Sequence, residues 1–284
     1  MNAAASRPFK CSAVISDVDG TLVTGRDKRL TERAAAAVAA LRERGILFTI
    51  ISSRPPEGLR KLIGPLGIAK PVGCFNGGTL VSPDLKIITE HLLPAEVARR
   101  AVDLLDKRGV QAWVFSGRDW LVRKIDAPYV AHEELTLGFP PKKVDGFGYA
   151  LDTAAKIVGV AQDFALLARC ETEGRALLAG HASVARSQQY YLDITDPLAN
   201  KGAALTEIAA LLGVPLAEVA VIGDGGNDVA MFKLGGLSIA MGNASPDVQA
   251  EADLVTETND DEGFANAIET FILRKASAAA GVAP

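Results

Sequence analysis

Residues 13–22 read AVISDVDGTL. A short apolar run stops on two aspartates, Asp17 and Asp19, followed by Gly20. Side chains alternate along an extended chain, so carboxylates two residues apart share one side of the backbone. Like charges that close raise each other's proton affinity unless a cation or a shared proton relieves them. Alone, Asp-Val-Asp-Gly is an ordinary solvated turn, because Asp and Gly are common turn residues. The surrounding chain decides between a turn and a site.

Outward from this stretch, strand and helix patterns alternate. The run at 12–16 is a buried strand, 31–44 a helix with Thr31 as its N-cap and Gly45 as its stop, and 46–51 a second strand. A helix over 56–67 and a third strand over 71–75 come next. The same rhythm returns late: helix 200–213, strand 219–223, helix 227–235, strand 237–242, helix 244–252, strand 253–256 and helix 261–273. Continuous apolar strands alternating with helices imply a parallel sheet covered on both faces. The middle is different. It carries both tryptophans (Trp113, Trp120), the three histidines (His91, His132, His181), helical patterns at 94–108 and 163–179, and several strand-like pieces. These expectations amount to a doubly wound parallel α/β core, residues 1–83 and 191–284, interrupted by an inserted α+β domain at 84–190.

Composition narrows the function. With 284 residues, 49% hydrophobic and 23% charged, the chain has ample material for two cores. A net charge of −4 and a pI near 5.5 argue against a nucleic-acid surface, and the basic pairs at 99–100 and 142–143 are expected to be solvated faces. Cys11, Cys74 and Cys170 are scattered without CxxC spacing, which fits buried thiols in a reducing compartment. The first sixteen residues lack a signal peptide's apolar stretch and no window reaches a membrane span, so the protein is expected to be cytoplasmic, with no membrane partner. Residues 275–284 are low in complexity and expected to fray; oligomeric state has no signature in the sequence.

Open parallel sheets bind ligands beyond the C-terminal ends of their strands. The expected strand ends carry, in chain order, Asp17, Asp19 and Gly20; then Ser52, Ser53 and Arg54; then Asn76, Gly77 and Gly78; then Asp224, Asn227 and Asp228, with Lys201 opening the preceding helix. Each group alone has a plain structural explanation, as turn, helix cap or surface lysine. Four polar strand ends in succession are less easily coincidence. Asp17, Asp19 and Asp224 are hard oxygen donors suited to Mg²⁺. Hydroxyls, glycine-flanked amides and an ammonium suit phosphate oxygens. An aspartate can attack phosphorus, and a second carboxylate can move the proton. The histidines show no ligand spacing, and the tryptophans are expected to pack within the inserted domain.

In this order, DVDGTL, ISSRP, NKG and GDGGNDVAMF resemble the four motifs of the haloacid dehalogenase (HAD) superfamily, most of all its Cof-type phosphatases with a large α/β cap. FNGG at 75–78 resembles the turn before that cap, and residues 239–269 resemble the family's C-terminal stretch. The resemblance covers about 12–83 and 190–274. It implies a Rossmann-like HAD core with an inserted cap. It also implies hydrolysis of a phosphomonoester of a small metabolite, sugar phosphates among the candidates, through an aspartyl-phosphate with Mg²⁺ as cofactor. Asp17 would be the nucleophile and Asp19 the acid/base, with the Asp19 backbone carbonyl on the metal. Asp224 would ligate the metal beside Asp17. Lys201 would neutralise charge, Ser52 would supply the motif-two hydroxyl, and Gly20, Ser53 and Asn227 would hold phosphate. Asp228 would support Lys201 or the metal. Ser52-Ser53 departs from the family's Thr-Gly, keeping the hydroxyl donor. A phosphomutase is the nearest rival activity. A phospho-accepting switch sits poorly with Asp19, which promotes turnover, and a dehalogenase needs no metal set. A catalytically silent binding protein would not need the intact motifs.

Overall fold

The structure, a computed structural model, describes residues 9–274. The low-complexity end at 275–284 lies outside them. The chain separates into two compact units: one holds the described residues up to Ser52, Leu62–Val72 and those from Lys201 onward, and the other holds Ser53–Lys61 and Gly73–Asn200.

In the first unit five parallel strands run in the spatial order Leu254–Val255, Leu237–Ala240, Val219–Gly223, Ala13–Ser16, Leu47–Ile50. The chain moves outward from Ala13–Ser16 to Leu47–Ile50, then re-enters on the other side of Ala13–Ser16 and moves outward again. The order therefore reverses between Ala13–Ser16 and Val219–Gly223, which opens a crevice at their C-terminal ends. Every residue of these two strands is buried, as expected of a sheet covered on both faces. Thr31 caps the helix Glu32–Glu43, its Oγ1 accepting the Ala34 amide at 3.1 Å, a bond worth about 1 kcal/mol. That helix buries Ala34, Ala37, Val38 and Leu41, one face at helical spacing.

Some expected elements are placed or sized differently. Val72–Cys74, expected as a third parallel strand, belongs to a separate three-stranded sheet with Thr79–Val81 and Ile87–Glu90. Phe75 and Asn76 adopt left-handed backbones (φ 51° and 59°) and turn the chain, so a strand a few residues on supplies the hydrogen-bond partner. The helices expected at 227–235 and 244–252 shorten to Val229–Phe232 and Pro246–Gln249.

The second unit is built on a six-stranded sheet in the order Ser183–Gln188, Tyr191–Thr195, Ala154–Val160, Gln111–Ser116, Asp119–Val122, Lys142–Lys143, antiparallel except for its last pair. Val114, Ile157, Leu192 and Ile194 on one face join a core with Val97, Ala101 and Leu105 of helix Ala95–Lys107 and Leu167 and Cys170 of helix Phe164–Leu177. By alternation the opposite face carries Trp113, Trp120 and Tyr191. Both indoles are 1% exposed and meet edge to face at 5.1 Å, which makes them packing residues. The helix Val130–Leu137 has no clear sequence signal; it starts after Tyr129, whose φ of 67° breaks the preceding chain direction. Among the described residues no helix is long and apolar enough to cross a membrane.

Candidate active site

Backbone hydrogen bonds carry the sheet register one residue past each strand. The Asp17 amide donates to Ile222 O, the Ile51 amide to Ser16 O and the Met241 amide to Gly223 O, each at 2.9 Å. Asp17, Ser52 and Asp224 thus emerge from the same end of the sheet, beside the point where strand order reverses.

The centre of the group is Lys201, whose side chain is 0% exposed. Its ammonium lies 2.7 Å from Asp17 Oδ1 and 2.6 Å from Asp228 Oδ1. Asp228 Oδ2 accepts the amides of Asp224 (2.9 Å) and Gly225 (2.8 Å), so both Asp228 oxygens are engaged within the protein. An ammonium buried this deeply is tolerable only when paired and hydrogen-bonded. Burial opposes the Lys201 charge, but Asp17 and Asp228 outweigh it and hold the ammonium's pKa above its usual value. At Asp17, burial and the nearby Asp228 and Asp224 charges together exceed the pull of Lys201, and the carboxyl's pKa is well above normal. Asp224 is pushed up to about 6, chiefly by burial, against the opposing hydrogen bond from Thr21.

Three carboxylates thus face a single ammonium. Oxygens of Asp17, Asp224 and Asp228 lie within 4.8 Å of one another, a spacing that suits a bound metal ion. Because Asp228 is occupied by Lys201 and two amides, Asp17 and Asp224 are the members left to bind a cation. Burial and mutual repulsion raise the proton affinity of these two, and an all-oxygen donor set suits Mg²⁺. Asp224 is held from both sides: Thr21 Oγ1 donates to its Oδ1 at 2.7 Å and Asn243 Nδ2 to its Oδ2 at 3.3 Å. Gly20 has φ +80°, and a Cβ there would stand 2.2 Å from Asp224 Oδ2, so only glycine lets the Asp17–Gly20 turn pass this carboxylate.

A second loop closes around the first. Asn243 Nδ2 also donates to Gly20 O (2.9 Å) while its Oδ1 accepts the Asn259 amide (2.9 Å). Asn259 Nδ2 donates to Val23 O and Asp260 Oδ1 accepts the Gly25 amide, each at 2.8 Å. The 24–29 turn is tied by Thr24 N to Arg29 O and Arg29 N to Thr24 Oγ1, both 3.0 Å. This turn carries Lys28, which has a left-handed backbone (φ 53°) and places Nζ 3.4 Å from Asp19 Oδ1. A left-handed non-glycine residue costs about 1–2 kcal/mol, whereas a partly exposed ion pair returns about 0.2–1 kcal/mol. The pair does not offset the strain.

Of the residues singled out from sequence, Asp17, Lys201, Asp224 and Asp228 meet directly, and Gly20 lies against Asp224. Asp19 is half-buried beside Lys28, and Ser52 is fully buried at its strand end. Asn227 is exposed in the loop before Asp228, and Ser53 is half-buried, the first residue of the second unit. Sequence reasoning did not assign Thr21, Lys28 or Asn243. Thr21 stood inside the opening motif and Asn243 in the glycine-flanked turn after a strand, so position offered a signal for both; Lys28 offered none.

The haloacid dehalogenase-like hydrolase profile matches residues 14–268. A curated relative, the 5-amino-6-(5-phospho-D-ribitylamino)uracil phosphatase YwtE of Bacillus subtilis, is 26% identical, the match covering 93% of this chain and 98% of that protein. The HMP-PP phosphatase of Escherichia fergusonii is 28% identical over 83% of this chain and 85% of its own length. A haloacid dehalogenase-like hydrolase from Bacteroides thetaiotaomicron superposes with a TM-score of 0.84 at 28% identity, covering 93% of this chain and all of that one. The carboxylate–ammonium cluster stands at the switch point of a doubly wound sheet, where open parallel sheets bind ligands. The chain belongs to the haloacid dehalogenase-like hydrolase family.

Proposed function

We propose that the protein is a Mg²⁺-dependent phosphomonoester hydrolase acting on a small phosphorylated metabolite, sugar phosphates among them, through an aspartyl-phosphate. The observation that carries this is Lys201, buried between Asp17 and Asp228 beside Asp224. That arrangement presents a carboxylate, a fixed positive charge and a metal-compatible pair at one end of the sheet. The relatives from Bacillus subtilis and Escherichia fergusonii are named as phosphatases, which supports the same reaction class.

An Asp17 oxygen attacks phosphorus as the bond to the leaving oxygen breaks, and Asp19 gives that oxygen a proton. Asp19 then takes a proton from water, whose oxygen attacks phosphorus; the acyl-phosphate bond breaks, phosphate leaves and the Asp17 carboxylate is restored. Lys201 fixes the orientation of Asp17 through one oxygen and leaves the other for attack. The Ser52 hydroxyl, the Gly20 and Ser53 amides and the Asn227 side chain serve the phosphate oxygens. Asp17, the Asp19 carbonyl and Asp224 would hold Mg²⁺, which when bound offsets the carboxylate and phosphate charge. The catalytic role falls to 1–83 and 191–284, and the larger part of substrate choice to 84–190. A screen for free phosphate over a panel of phosphorylated metabolites, with Asp17→Asn as blank, tests the proposal. No Asp17-dependent release from any member would overturn it, and transfer without release would favour a mutase.

A further inference from the structure

We propose that Lys28 is a specificity-determining residue that selects substrates bearing a second negative charge on the leaving group, next to the ester oxygen. The inference rests on the phosphatase reading and extends it to substrate class.

Two independent observations point to Lys28. Its ammonium lies 3.4 Å from Asp19 Oδ1, and its backbone sits in the left-handed region at φ 53°. The ion pair does not offset the strain, so stability does not account for a lysine here, and strain kept beside a proposed acid/base points to function. The surrounding turn is not loose. Asn259 and Asp260 fasten Val23 and Gly25, and Thr24 closes on Arg29, so Lys28 is held where it is.

The position decides the chemistry. The proton donor must come within hydrogen-bond reach of the leaving oxygen, so an ammonium 3.4 Å from one oxygen of the same carboxylate stands at most about 9 Å from that leaving oxygen. Lys201 already serves the nucleophile's side. With Asp19 as the proposed proton donor, Lys28 brings positive charge to the leaving-group side. Asp19 has to shed this partner to protonate the leaving oxygen, and a second anion on the substrate would draw the ammonium to itself. A carboxylate or phosphate on the carbon bearing the ester meets that requirement, whereas a neutral polyol does not.

The test compares 2-phosphoglycerate with glycerol 2-phosphate, which share a skeleton and differ in one carboxylate. With Mg²⁺-loaded enzyme, wild type should favour the carboxylated ester in kcat/KM. Lys28→Met should reduce that preference about tenfold, mainly through KM, and Lys28→Arg should largely restore it. Lys28→Gly should lose the preference like Lys28→Met while melting at a higher temperature than wild type, because glycine relieves the strain. A preference ratio that stays within twofold in both Met and Gly variants, with Asp17-dependent turnover intact, would overturn the role of Lys28 alone. If wild type releases phosphate from neither ester, nor from an aryl phosphate in an Asp17-dependent manner, the phosphatase reading falls, and this inference with it.

Discussion

Each unit buries a lysine against an aspartate. Lys201 meets Asp17 and Asp228 at 2.7 and 2.6 Å; Lys156 meets Asp193 at 2.7 Å, with both side chains 10% exposed. Lys156 and Asp193 lie on adjacent strands, diagonal across the register Thr195↔Lys156 and Asp193↔Val158, on the face that carries Trp113. One ammonium there answers one carboxylate, and beyond Lys156 neither Asp193 oxygen has a hydrogen-bond partner among the described residues. At Lys201 three carboxylates share one ammonium, and backbone amides hold one of the three in place. The same two residue types at similar depth therefore make a closed pair in one unit and an electron-rich centre in the other. Charge balance and backbone support, rather than burial, separate the closed pair from the centre proposed to react.

The sharpest way to break this contrast is Asp17→Asn. Phosphate release should fall by about 10³-fold or more, with the circular-dichroism spectrum and unfolding transition retained. Substantial residual turnover would show that the electron-rich centre is not the reactive one.

Next come the lysines themselves. Lys156→Met strands one buried carboxylate and Lys201→Met two, and each change should cost about 3–5 kcal/mol or more in urea unfolding. Replacing both partners, as Lys156→Met with Asp193→Leu, should recover most of that loss and retain phosphate release. The double change Lys201→Met with Asp17→Asn should recover only part of the stability, because Asp228 still lacks its ammonium, and none of the activity. If the Lys156/Asp193 double variant folds well but has lost turnover, the pair in the second unit is functional and the contrast fails.

Metal binding has a smaller but direct thermal signature. EDTA should abolish turnover and Mg²⁺ restore it, and Mg²⁺ at a hundredfold excess over Kd should stabilise the wild type by about 2.7 kcal/mol. Asp224→Asn should lose most of that thermal response.

The smallest effect is on pH. In the metal-free protein Asp224 is raised from 3.8 to about 6. The folded state then binds more protons than the unfolded chain between those values. The stabilisation from this group is complete below about pH 4 and is lost as pH rises through about 6. EDTA-treated wild type should therefore melt at lower temperature at pH 7 than at pH 5, and Asp224→Asn should show a shallower decline. An equal slope in both proteins would remove Asp224 as the cause.

Much of the first unit was legible because its physics is local. Apolar runs of strand length followed by helical spacing announce a covered parallel sheet, and charged residues directly after such runs stand out as Asp17, Asp224 and Asp228 do. Val72–Cys74 misled because an apolar run does not say which sheet it joins; that depended on the left-handed pair Phe75 and Asn76. Thr21, Asn243 and the Asn259–Asp260 clasp were not legible as partners. Their contacts with Asp224, Gly20, Val23 and Gly25 join residues up to 236 positions apart, and no periodicity records such a pairing.

By itself the sequence determined the alternating core, the resemblance to haloacid dehalogenases and the chemical kind of the strand-end residues, since these follow from hydrophobic period and residue type. Only the tertiary structure decided how charge is shared at those strand ends. It seated Lys201 between Asp17 and Asp228, withdrew Asp228 into amide hydrogen bonds and brought Lys28 to Asp19. Electrostatics depends on distances in space, and distances between residues far apart in the chain exist only once the chain has folded.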